Sequence, residues 1–104
     1  MLTRNLLADA LPPATGERFD TLLSHRNLVV ERIVSSSSVA PTLCVQTQDE
    51  WVTLLHGTAM LEVDGEAVPL QAGDHLFLPA GTPHRVTEVS EGALWLAVHL
   101  HSSP

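Results

Sequence analysis

Along most of this chain apolar and polar residues alternate with a period of two. From Leu28 to Val34, Val29, Glu31 and Ile33 fall on one side while Leu28, Val30, Arg32 and Val34 fall on the other, as a strand requires. The same reading predicts strands at Leu43 to Thr47, Glu50 to Leu55, Thr58 to Val63, Ala67 to Leu70, His75 to Leu78, His84 to Val89 and Ala93 to Leu100. Glycines 57, 65, 73, 81 and 92 punctuate them at the short, regular spacing of a meandering barrel or sandwich. Asp64-Gly65 is the strongest hairpin signal, because both residues tolerate positive φ. No helical segment separates the strands, which excludes a βαβ architecture.

Before the first of these strands the pattern changes. Phe19, Leu22 and Leu23 stand at helical spacing behind acidic Glu17, which predicts one short helix over Glu17 to Ser24. Residues 1 to 16, with Pro12, Pro13 and Gly16, suit an extended arm lying over the surface. The expected organisation is one domain, with arm and short helix in residues 1–27 and an antiparallel β-barrel in residues 28–104.

Composition narrows the partners. The chain has 104 residues, of which 44% are hydrophobic and 16% charged, enough apolar material for a packed core. A formal net charge of −7 repels phosphate backbones and anionic lipid, so neither nucleic acid nor a membrane surface is expected. Cys44 is the lone cysteine and has no internal disulfide partner. The N-terminal MLTRNLLADALPP places an Asp inside its apolar part and lacks a signal-peptide core, so a cytoplasmic location is expected.

Residues 73 to 84 read Gly73-Asp-His-Leu-Phe-Leu-Pro79-Ala-Gly81-Thr-Pro-His84, or G-x5-P-x-G-x2-H. A tight turn leads into a strand, Pro79 and Gly81 turn the chain back, and His84 begins the returning strand. This segment resembles the second motif of the cupin superfamily up to its histidine, with Glu88 where the family has Asn. The first cupin motif is half present: Glu50 and Gly57 keep the E-x6-G spacing, while Gln46 and Cys44 occupy the positions of its two histidines. The resemblance covers roughly residues 28 to 100. It implies an all-β, jelly-roll barrel whose interior brings Glu50 and His84 together.

Two kinds of chemistry are open to such a site. Strand alternation puts Cys44 and Gln46 on one face, so Gln46, Glu50, His84 and His99 could surround a divalent ion such as zinc, iron, manganese or nickel. Without a metal, Glu50 and His84 make a base and acid pair for proton transfer. Cys44 suits a small buried hydrophobe as well as a soft-metal ligand. His56 shares the parity of Glu50 but lies six residues along, roughly 20 Å in an extended strand, too far to share an ion. His25 is expected in solvent, and His75 is not oriented by the pattern. In the last strand Ala97, His99 and His101 share one face and Leu96, Val98 and Leu100 the other, so either face could be the inner one.

The resemblance implies a small-molecule ligand. One reading is a metal-assisted enzyme such as a sugar-phosphate isomerase-like or dioxygenase-like protein, and the other a non-catalytic binding or sensor module. Small cupins of this kind are often homodimers, and Leu2, Leu6, Leu7 and Leu11 offer apolar surface for pairing.

Overall fold

In the computed structural model, which describes residues 1–103, eight strands and no helix make up the regular structure. They are β1 (Glu17–His25), β2 (Leu28–Ser35), β3 (Asp49–His56), β4 (Thr58–Val63), β5 (Glu66–Gln71), β6 (His75–Leu78), β7 (His84–Val89) and β8 (Ala93–Leu100). They form a five-stranded sheet in the order β1-β2-β8-β3-β6 and a three-stranded sheet in the order β5-β4-β7. Every strand pairing is antiparallel. The architecture is an all-β jelly roll.

Alternation sets the core. Ile33, Val52, Leu54, Trp95 and Ala97 point inward from the larger sheet and meet Ala59, Leu61, Leu70 and Val89 from the smaller one. Trp95 is buried, and its indole Nε1 donates to the hydroxyl of fully buried Ser35 at 3.0 Å, which satisfies a donor that would otherwise be stranded. The Asp64-Gly65 turn joins β4 to β5 with φ of 51° and 79°, the left-handed pair that a two-residue hairpin needs.

Two sequence expectations are corrected. The segment Glu17 to Ser24 is strand β1, not a helix, and it pairs with β2 along its whole length. A register shift between Thr21 and Leu23 interrupts the alternation there, so Phe19, Leu22 and Leu23 mimic a helical period. The predicted strand at Leu43 to Thr47 reduces to one bridge, between Cys44 and His84, closed by hydrogen bonds in both directions.

On the outer face the arm is held by arginines. Buried Arg32 donates to the carbonyls of Leu6 and Ala8 and forms an ion pair with Asp20 at 2.8 Å. Arg18 donates to the carbonyls of Leu11 and Asp9 and also pairs with Asp20. One carboxylate thus orients two guanidinium groups, and these bind the backbone of an arm with little regular structure of its own.

The turn before β7 carries the site histidine and has a defined backbone. Gly81 has φ of 83°, and its N–H donates to the Gln46 carbonyl at 2.8 Å. A Cβ at Gly81 would meet no atom within 4 Å, so the restriction there is conformational and not steric. Gly81→Val should therefore cost more than about 1 kcal/mol in urea unfolding. An unchanged midpoint would show that the turn tolerates a β-branched residue.

Candidate functional site

His84 is the first residue of β7, where Cys44 and Val63 flank it in the sheet register. Its Nδ1 lies 2.9 Å from the carbonyl oxygen of Thr82, an atom that can only accept. The neutral ring therefore carries its proton on Nδ1 and keeps a lone pair on Nε2. That Nε2 lies 3.8 Å from Oε1 of Glu50, beyond direct hydrogen-bond distance and with a polar group able to fit across both.

Glu50 sits on interior strand β3, paired with Leu78 on one side and His99 on the other. It is 6% exposed, and burial pushes its carboxyl above the ordinary range despite the opposing pull of His99, His84 and the Gln46 amide. A carboxyl so placed holds a proton more readily than one in water.

Of the two possible inner faces of β8, the one carrying Ala93, Trp95, Ala97 and His99 packs inward, and Leu100 is exposed on the other. Small alanines beside the large indole leave room inside the barrel, and His99 enters it. Its Nε2 lies 2.9 Å from Glu31 Oε1 and its Nδ1 lies 3.2 Å from the Gln48 amide nitrogen. The hydrogen bond that His99 Nε2 donates to Glu31 is the main cause that raises the His99 pKa. Protonation of His99 would require Gln48 to turn its carbonyl oxygen toward Nδ1.

Gln46, Glu50, His84 and His99 all line one cavity of about 310 Å³, together with Cys44, Glu31 and Glu17. This volume suits a small organic molecule. Both ring nitrogens of His99 are already engaged, so the strong donors facing one another are a single imidazole and a single carboxylate, with a neutral amide beside them. Among the described residues no three His, Cys, Asp or Glu side chains are grouped as a metal ion would need. The donor set does not fit a divalent metal centre, which takes three or more strong ligands.

The other histidines are elsewhere. His25 and His56 are exposed at the ends of β1 and β3, and His75 stacks against Trp51 with ring centroids 5.5 Å apart. Cys44 is exposed at the cavity wall, not buried.

Sequence reasoning did not single out Glu31, Gln48 or Glu17. Glu31 carried a usable signal, since it shares a strand face with core residue Ile33 and a charge on a core face calls for a partner. Glu17 carried none, being read as the start of a helix.

The family model described as Cupin domain matches residues 38–99. A candidate mannose-6-phosphate isomerase from Ralstonia eutropha JMP134 is 35% identical, with a TM-score of 0.86, over 98% of this chain and 100% of that one. A conserved protein of unknown function from Streptococcus pyogenes has a TM-score of 0.83 at 20% identity, over 99% and 90% of the two chains. KdgF from a Halomonas species gives 0.76 at 17% identity, over 82% and 80%. Among curated proteins no sequence matches this chain.

The perturbed groups predict how stability varies with pH. His99 has a raised folded-state pKa, so its contribution is complete below its ordinary 6.5 and is lost as pH rises through the folded value. Glu50 is also raised, so folding is favoured below its ordinary 4.5 and that advantage likewise goes as pH rises through the folded value. Asp20 is lowered, chiefly by Arg32, and its contribution goes as pH falls below its ordinary 3.8. The melting temperature should therefore peak on the acid side of neutrality. In a fluorimetric scan Glu31→Gln should flatten the decline above pH 6.5, and a wild-type melting temperature that rises from there to pH 9 would contradict the assignment.

Proposed function

This chain belongs to the cupin domain family, and on that premise we propose that it binds a small hydroxy-carbonyl compound and moves a proton between two of its atoms. The observation that carries this reading is the facing of His84 Nε2 and Glu50 Oε1 across 3.8 Å at the cavity wall. His84 offers a lone pair and Glu50 a carboxyl biased toward its protonated form. The two have complementary roles without any change in the fold.

In the reaction His84 Nε2 takes the proton from the carbon next to the substrate carbonyl while protonated Glu50 gives its proton to the carbonyl oxygen. An enediol results. The proton on His84 then returns to the neighbouring carbon, and Glu50 recovers one from the adjacent hydroxyl. The product is an isomer of the substrate, and both side chains return to their starting states. Gln46 can hydrogen-bond a substrate oxygen, and the His99-Glu31 pair holds the floor of the site in place. The similarity to a candidate mannose-6-phosphate isomerase supports isomerisation as the reaction class.

Solvent-deuterium incorporation into a panel of aldoses and ketoses, followed by proton NMR, tests this reading. Wild type should label the carbon next to the carbonyl, and Glu50→Gln and His84→Gln should each slow labelling by about 100-fold or more. Binding without labelling would make the protein a non-catalytic binding module, and labelling that survives both substitutions would place the chemistry elsewhere.

We also propose that the protein is a homodimer paired through β1, and that it works in the cytoplasm with Cys44 reduced. Strand β1 is an edge of the larger sheet and exposes Leu22 and Leu23. Sedimentation should give twice the chain mass, and Leu23→Lys should shift it to monomer. A wild-type monomer at micromolar concentration would overturn the pairing.

A further inference from the structure

The cavity does not end at the proton-transfer pair. Along the inner face of β2 the same-facing residues are Val29, Glu31, Ile33 and Ser35, and the row of Val29 is the row of His99 and Glu50. Ser35 pairs with Glu17 of β1 at the other end of that face. Six residues of strand separate the two rows, roughly 20 Å between backbones, part of which the long glutamate side chains close. Both Glu50 and Glu17 line the same cavity, with Ile33, Val52, Leu61 and Trp95 among the residues between them.

Glu17 is held by a buried relay. The Ser35 hydroxyl, with Ser35 0% exposed, donates to Glu17 Oε2 at 2.8 Å and accepts from Trp95 Nε1 at 3.0 Å. The hydroxyl has one proton, and accepting from the indole directs that proton at the carboxylate. No hydrogen bond engages Glu17 Oε1 among the described residues.

Charge around the cavity is one-sided. Its carboxylates are Glu17, Glu31 and Glu50, and its one permanent cation is Arg85. One nitrogen of the Arg85 guanidinium is bound by Glu62 at 2.9 Å, while its buried Nε has no hydrogen-bond partner among the described residues. At the Glu17 end a phosphate group would meet a carboxylate that the Ser35 hydroxyl holds in place.

Resting on the proton-transfer reading for its reactive end, we propose that Glu17 forms a distal subsite for a protonated amine, and that the ligand is an amine-bearing hydroxylated molecule. The ammonium donates to Glu17 Oε1 while the apolar middle of the cavity holds the connecting carbons. Phe19, 59% exposed on β1, lines the same cavity and adds an aromatic surface suited to a cation. Ser35 and Trp95 hold the carboxylate in place before the ligand arrives, so little ordering is left for binding to supply.

Calorimetric titration with linear amino alcohols of increasing length, each against the diol and the hydroxy acid of equal length, tests the proposal. At its best length the amino alcohol should bind about tenfold tighter than the diol, with the hydroxy acid weakest. Glu17→Gln, which keeps an acceptor for Ser35, should reduce the amino alcohol to the affinity of the diol and leave the diol unchanged. Glu17→Asp, which retracts the charge, should give an intermediate preference, and equal melting temperatures would show that both variants are folded. Equal binding of amino alcohol and diol, tighter binding of the hydroxy acid, or no binding by any probe would overturn the subsite. Deuterium labelling that persists while the amine preference is absent would leave the proton-transfer reading standing alone. A Glu17-dependent amine preference without any labelling would do the reverse.

Discussion

Glu50 is a carboxyl on an interior strand of an apolar sandwich, with Leu78 beside it and Val52 and Leu54 following on the same face. Moving such a group out of water is costly unless nearby donors or a bound proton offset the loss. The polar residues of the interior are arranged around that constraint. His84 faces it from the second sheet, His99 from the neighbouring strand, and Gln46 from the loop that the turn at Gly81 ties down. None of them neutralises it completely. The incomplete compensation keeps the carboxyl protonated more readily than usual, and that property suits proton transfer.

The polar interior has a second layer. Glu31 and Gln48 occupy the two nitrogens of His99, which withdraws this ring from any metal and makes it a fixed neighbour of Glu50. Where the cupin pattern would supply two further histidines, this chain has Cys44 and Gln46. The barrel is thereby left with the carboxylate and one imidazole of the usual site in a space sized for an organic molecule. Loss of ligand histidines and retention of the acid-base pair are compatible once the reaction needs only protons to move.

The outer face solves a different problem. Arg32, on the opposite side of β2 from Glu31 and Ile33, is also buried, but under the N-terminal arm. Its ion pair with Asp20 and its hydrogen bonds to arm carbonyls satisfy a charge that would otherwise be stranded. Strand β2 therefore serves two polar systems, one on each face, and the alternation of its side chains keeps them apart.

Period-two alternation and the glycine cadence determined the strand framework from the sequence alone, because side-chain direction in a strand is a local property. Seven strands were legible close to their observed bounds, and the spacing of Gly73, Pro79, Gly81 and His84 located the site histidine. Strand β1 was not legible, because its register shift erased the alternation, and the segment around Cys44 was read as more regular than it is. In the site, the placement of Glu50 and His84 followed from motif spacing. The inward face of β8, the capture of His99 by Glu31 and Gln48, and the Trp95-Ser35-Glu17 relay were decided only by tertiary packing. Each joins residues far apart in sequence through the volume left between two sheets, a quantity that no local pattern encodes.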